Sequence, residues 1–244
     1  MKIGIIQLTS VLNPKINLQK IENFLVDAKK NQVEAIFLPE CFYSMSDGKE
    51  VSPYLVEKGN EHYLAIQNLA IKYNIFILGG SAATKVGDKI FNRSYNFSPT
   101  GEDLGHYDKV NLFSCELPDN SISLCESNLY SSGKEQTVIS AGSLLVGLTI
   151  CFDLRFPNFF QEYSQKGINI ISVSSAFTKI TGKAHWEILL RARAIENQCF
   201  IVAAAQYGKS NKKIETFGHS MIVDPWGQVL VNAGIGEKIV TADL

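Results

Sequence analysis

The chain has 244 residues, 45% of them hydrophobic, 19% charged and 10% aromatic, with a formal net charge of -1. That composition suits a globular protein with a sizeable core, and it excludes an electrostatically driven nucleic-acid binder, which needs clustered positive charge. The densest basic stretch, Lys209-Ser210-Asn211-Lys212-Lys213, sits between two apolar runs and reads as a solvated loop. No window reaches the length of a membrane span. The opening Met1-Lys2-Ile3-Gly4-Ile5-Ile6-Gln7-Leu8 turns polar too soon for a secretory segment, so a cytoplasmic protein is expected.

In chain order, Lys2 to Leu8 predicts a buried strand, and Asn13-Pro14 a helix start with a capping Asn and proline at the first helical position. Apolar residues at near-helical spacing (Ile16, Leu18, Ile21, Phe24, Leu25, Ala28) carry that helix to Lys30. Val33 to Leu38 is an apolar run stopped by Pro39. Glu61 to Tyr73 is helical in period, and Ile75 to Leu78 is a strand ending at Gly79-Gly80. Ile90 to Tyr107 reads as two strands joined at Ser98-Pro99-Thr100-Gly101. Asn111 to Glu135 lacks periodicity but keeps apolar residues, which predicts functional loops rather than a linker. Then come a strand over Ser143 to Ile150, a helix over Pro157 to Lys166, a strand over Ile168 to Ser174, a helix over Ala184 to Asn197 and a strand over Cys199 to Ala205. His219 to Val223 and Val229 to Val231 flank the hairpin signal Asp224-Pro225-Trp226-Gly227, and Lys238 to Ala242 is a last strand. Strand–helix alternation with antiparallel signals means α/β with a mixed sheet or sheets, and no composition shift divides residues 1–244, so one domain is expected.

Reactive groups in α/β sheets gather beyond the carboxyl ends of strands. Two such ends stand out: Ala35-Ile36-Phe37-Leu38 runs into Pro39-Glu40, and Val146-Gly147-Leu148-Thr149-Ile150 runs into Cys151-Phe152-Asp153. A carboxylate there is costly unless paired or used. A cysteine in a sharp strand-to-helix turn presents its thiol at the sheet edge, with a following backbone N–H placed to stabilise an oxyanion. Such a thiol, with an ordinary pKa of about 8.5, needs a nearby base or cation to attack at neutral pH. Glu40 is the candidate base and Lys109 the candidate cation, because His62, His106, His185 and His219 form no motif with Cys151. Taken singly, Glu40 also reads as a loop carboxylate, Cys151 as a small buried hydrophobe and Lys109 as a surface lysine. Phe42, Tyr43 and Met45 either line a pocket or pack in the core. The five cysteines (Cys41, Cys115, Cys125, Cys151, Cys199) follow no disulfide spacing, and no metal-binding or phosphate-loop motif is present.

Leu38-Pro39-Glu40, Tyr107-Asp108-Lys109 and Thr149-Ile150-Cys151-Phe152-Asp153-Leu154-Arg155-Phe156-Pro157 resemble, in order and separation, the three catalytic blocks of the nitrilase superfamily of carbon–nitrogen hydrolases. The resemblance runs from Ile5-Ile6-Gln7 to Asp224-Pro225-Trp226-Gly227. It implies a four-layer α-β-β-α sandwich with two mixed β-sheets, pairing into homodimers or larger assemblies. It implies Cys151 as nucleophile, Glu40 as general base, Lys109 as oxyanion stabiliser beside the Phe152 N–H, and Glu126 as a second glutamate orienting Lys109 or the leaving amine. Phe152, Phe177 and Thr178 are then expected to shape the substrate pocket.

The chemistry would need no cofactor and no metal. It would form a thioester, release ammonia or an amine, and hydrolyse the thioester. Segments such as Ala176-Phe177-Thr178 and Gly218-His219-Ser220-Met221 are most similar to the Nit branch, in particular deaminated-glutathione amidases, with ω-amidases as near relatives. The alternatives are an N-carbamoyl amine hydrolase or acyltransferase on the same scaffold, a catalytically idle scaffold protein, whose mark would be loss of Glu40, Lys109 or Cys151, and, more distantly, a metal-dependent hydrolase. The chain departs from the branch at Phe152, where Tyr is usual, at Asn158, where Glu is usual, and at Gly182-Lys183. The chain also stops at Leu244, where the tails of relatives often reach a partner subunit. These departures bear on substrate identity and oligomer contacts.

Overall fold

The computed structural model describes residues 1–116, 123–211 and 214–244. Lys212 and Lys213 of the basic stretch, and residues 117–122 of the expected loop region, lie outside the described residues. The described residues form seventeen strands and four α-helices. They are β1 Lys2–Gln7, α1 Pro14–Lys30, β2 Ala35–Phe37, α2 Glu61–Tyr73, β3 Phe76–Leu78, β4 Ser81–Val86, β5 Lys89–Phe97, β6 Asp103–Asp108, β7 Ser114–Glu116 and β8 Ser123–Cys125. The second half holds β9 Val138–Ala141, β10 Leu144–Ile150, α3 Pro157–Ser164, β11 Ile170–Ser175, α4 Lys179–Asn197, β12 Phe200–Ala205, β13 Tyr207–Lys209, β14 Glu215–Phe217, β15 Met221–Val223, β16 Val229–Asn232 and β17 Lys238–Asp243.

Two large sheets form. The first runs β17-β1-β2-β3-β5-β4, with β6 on β5; its β1-β2-β3 centre is parallel and its flanks antiparallel. The second runs β16-β15-β12-β11-β10-β9, parallel through β10-β11-β12 and antiparallel outside them. Both are mixed, as expected. Side-chain alternation decides the layering. In β1 and β2, Ile6 and Ile36 join Leu8 and Leu38 in a core closed by Ile21 and Leu25 of α1 and Ile66 and Leu69 of α2. Ile3, Ile5, Ala35 and Phe37 point the other way, into a core with Val146, Leu148 and Ile150 of β10. Trp186, Leu190 and Ala194 of α4, with Phe160 and Tyr163 of α3, complete that core from beyond the second sheet. The layers are therefore α-β-β-α.

Local chemistry explains most element ends. Asn13 accepts from Lys15 N and caps α1, with Pro14 at its first position, as the sequence predicts. Helix α4 begins at Lys179, earlier than expected, because Thr178 caps it by accepting from Thr181 N. Gly182, which precedes the expected helix start at Ala184, lies inside α4 as a close-packing position, since a Cβ there would collide with Phe217. The predicted helix over Pro157 to Lys166 ends earlier, at Ser164. Strand β4 is absent from the sequence reading, which stops at Gly79-Gly80. Gly79 holds φ +75°, and the chain turns there straight into β4. Strands β7 and β8, inside the stretch expected to be loops, and strands β9, β13 and β14 are likewise absent from the sequence expectation.

Candidate active site

The carboxyl ends of β2, β6, β10 and β11 converge on one cavity. Strand β10 ends at Ile150 and enters a 3-10 turn, Cys151–Arg155, before Pro157 opens α3. Cys151 sits in the left-handed region at φ 49°, a conformation that costs a non-glycine residue roughly 1–2 kcal/mol. Strain of that kind persists only where surrounding contacts enforce it.

The enforcing group is Asp153, fully buried. Its Oδ2 accepts from Ile150 N (2.8 Å) and Tyr107 Oη (2.7 Å), and its Oδ1 accepts from Asn111 N (3.0 Å) and Asn111 Nδ2 (2.9 Å). One carboxylate thus pins the cysteine turn to both sides of the segment carrying Lys109. Burial pushes the Asp153 carboxyl up, and the four donors oppose that shift. From behind, Arg193 of α4 holds the same turn by donating from Nη2 and Nε to the Leu154 carbonyl (2.9 and 3.2 Å).

Lys109 follows β6 and is 1% exposed. Its Nζ lies 2.8 Å from Glu40 Oε1 and 2.7 Å from Glu126 Oε2. Glu40, 4% exposed, follows Pro39 at the end of β2. Its Oε1 also accepts from Asn92 Nδ2 (2.9 Å), and its Oε2 accepts from the Ala176 N–H (2.8 Å) at the end of β11. Glu126, in the 3-10 turn after β8, accepts through Oε2 from Phe113 N (2.6 Å). Burial works against the charge on Lys109, but the carboxylates of Glu126 and Glu40 outweigh it and hold its ammonium well above the ordinary lysine range. The Cys151 thiol is pushed well up, first by burial and then by the Glu40 carboxylate, against the opposing pull of Lys109 and the Ala176 N–H. Both shifts disfavour the thiolate, so attack calls for a base beside the sulfur.

The cavity measures about 120 Å³, and Glu40, Lys109, Glu126 and Cys151 line it together with Phe152, Phe177 and Thr178. The structure thus brings all seven residues singled out from sequence to one place. Met45 lines the cavity too, whereas Phe42 and Tyr43 pack in the helix-side core, which settles the alternative left open above.

Sequence reasoning passed over three residues. Arg155 lines the cavity with its guanidinium 5.8 Å from the Phe152 ring centre and 5.5 Å from that of Phe177, and its Nη2 is 3.2 Å from His185 Nδ1. Asp153 and Asn92 act on the lining residues from outside. Arg155 and Asp153 stood inside the cysteine block, where only position in a turn marked them. Asn92 carried no signal at all, being one polar residue in an alternating strand.

The chain belongs to the carbon–nitrogen hydrolase family, whose sequence pattern it matches over residues 2–244. Within it, the chain falls in the Nit branch of the nitrilase superfamily and is a hydrolase acting on carbon–nitrogen bonds other than peptide bonds. It is 37% identical over 241 residues to the deaminated glutathione amidase of Dictyostelium discoideum, covering 94% of this chain and 82% of that one. It is 32% identical over 243 residues to the human omega-amidase NIT2, covering 100% and 88%. Among solved structures, the Caenorhabditis elegans NitFhit protein superposes with a TM-score of 0.90 at 35% identity, covering 99% of this chain and 60% of that one. Saccharomyces cerevisiae Nit3, described as a member of branch 10 of the nitrilase superfamily, superposes with a TM-score of 0.86 at 31% identity, covering 99% and 89%.

Proposed function

We propose that the protein hydrolyses the amide bond of a small carboxylate-bearing substrate through a thioester on Cys151. The observation that carries this reading is the placement of Lys109 Nζ between two carboxylates on the wall that Cys151 shares. Glu40 takes the thiol proton as Sγ attacks the amide carbon. The oxyanion is met by Lys109 Nζ and the Phe152 N–H. Glu40 returns the proton to the leaving nitrogen, ammonia or an amine departs, and the acyl group stays on sulfur. Glu40 then activates a water that releases the acid. Glu126 keeps Lys109 aimed.

The substrate class follows from charge. Lys109 is neutralised by its two glutamates, which leaves Arg155 as a second cation on the cavity wall, paired with no carboxylate among the described residues. A carboxylate at the far end of the substrate meets that guanidinium, well suited to bidentate binding. Deaminated glutathione, named for the first relative, fits this reading, and the ω-amide of a 2-oxo acid is the near alternative.

The test is ammonia or amine release from deaminated glutathione, 2-oxoglutaramate, an N-carbamoyl amine and a simple nitrile, with Arg155→Met beside the wild type. Turnover of an acid amide that falls roughly 10- to 100-fold in Arg155→Met is expected. Carbon dioxide release from the carbamoyl amine as the dominant activity would displace the amidase reading.

A homodimer is part of the same proposal. Ile180, Ile188 and Ile195 form an exposed stripe on α4, beside Trp226 at 89% exposure. The Arg191 Nε bond to the Gly227 carbonyl (2.8 Å) ties that turn to the helix. The flanking Lys183, Glu187 and Arg191 are of mixed sign, which suits an isologous contact with a second copy. Light scattering is expected to give a dimer mass for the wild type and a monomer mass for Ile188→Asp/Trp226→Glu. A monomeric wild type would refute it.

A further inference from the structure

Asn92 is 1% exposed, in the middle of β5, and it touches three of the four polar groups described above. Its Nδ2 donates to Glu40 Oε1 at 2.9 Å and reaches Glu126 Oε1 at 3.4 Å. Its backbone carbonyl accepts the Lys109 N–H at 2.9 Å. Its own Oδ1 is buried and has no hydrogen-bond partner among the described residues. A buried carbonyl oxygen left unpaired is costly, and a folded protein keeps one only where the rest of the group is committed elsewhere. Here the commitment is visible. The opposite orientation of the amide would aim an oxygen at two carboxylates.

We infer that Asn92 is a positioning residue, whose amide fixes the carboxylates of Glu40 and Glu126 on either side of Lys109 and holds Glu40 where it receives the Cys151 proton. The inference rests on the amidase reading for the role of Glu40. It adds the group that keeps base, cation and second glutamate in register before substrate arrives. The other charged or titratable groups facing Glu40 are Lys109 from the segment after β6, Glu126 from the turn after β8, Cys151 from the β10 turn, neighbouring Cys41, and Tyr130. Among them Lys109 is a cation already shared with Glu126, so the Asn92 amide is the neutral donor that Glu126 does not neutralise. The Ala176 N–H holds the other oxygen.

Asn92→Asp is close to isosteric and replaces the donor by an acceptor, so it separates hydrogen bonding from space filling. In this variant kcat is expected to fall roughly 10- to 100-fold with KM little changed. The acid limb of the pH–rate profile, and of Cys151 alkylation by iodoacetamide, is expected to move up by about one pH unit or more. Asn92→Ala removes the donor without adding charge; it should lower kcat and move the limb in the same direction by less. Alkylation reports on the thiol and its base whether or not the right amide has been found, so a failed substrate assignment does not mask the result. Equal losses in both variants with the acid limb unmoved, in proteins that melt as the wild type does, would overturn the inference and leave Asn92 a packing residue.

Discussion

Cys151→Ala is expected to lower amide turnover by about 10⁶-fold, the scale seen when a nucleophile that acts as a unit with its base is removed. The fold should be retained. The substitution deletes one sulfur atom at a 7% exposed position, a loss on the order of 1 kcal/mol. The turn that holds residue 151 at φ 49° is enforced by Asp153 and Arg193, not by the thiol. Thermal unfolding beside the turnover assay separates the two effects. A variant that melts normally and still turns over amide would remove Cys151 from the chemistry.

The second large effect is expected at Lys109, and it is as much one of stability as of rate. Removing one member of a buried charge group leaves the others uncompensated, at a cost of about 3–5 kcal/mol. In Lys109→Ala, Glu40 and Glu126 face one another without their cation. The pH dependence should therefore reverse. In the wild type the Lys109 pKa is raised on folding, so its contribution is fully present below the unfolded value of about 10.4 and is lost only as pH rises through the higher folded value. In the variant, repelling carboxylates favour protonation, so stability should be greatest in mild acid and fall as pH rises towards neutrality. Turnover should fall by at least 10²- to 10³-fold through loss of an oxyanion donor. Denaturant unfolding at pH 5 and pH 8 gives the sign. A variant less stable at pH 5 than at pH 8 would show that the two carboxylates are not coupled through Lys109.

How much of this was legible in the sequence depended on the range of the interaction. The strands that run into Glu40 and Cys151 are continuous apolar runs, the first stopped by Pro39 and the second followed by Pro157 at the start of a helix. The caps at Asn13 and the hairpin at Asp224-Pro225-Trp226-Gly227 are local chemistry, and the structure forms both as expected. Lys109 could not be told from a surface lysine by its neighbours. Its environment is made by residues 69 positions back and 17 ahead, so the sequence offers it only as a candidate cation and the resemblance of the three blocks supplies its role. Asp153 and Arg155 lay within a recognised block, yet their partners Tyr107, Asn111 and His185 come from other elements. The expected helix start at Ala184 falls short of the observed Lys179 because a glycine looks the same in sequence whether it lies outside a helix or, as Gly182 does, lets Phe217 pack against one.

The central claim is a covalent acyl-enzyme on Cys151. Its most direct test is acid quenching of the enzyme during steady turnover of a saturating acid amide, followed by intact and peptide mass measurement. A mass gain equal to the acyl group with its amine lost is expected, mapped to the peptide that contains Cys151 and discharged when the quench is delayed past substrate exhaustion. Quenched enzyme of unmodified mass at every time, with product accumulating as Cys151 remains free to alkylate, would contradict it.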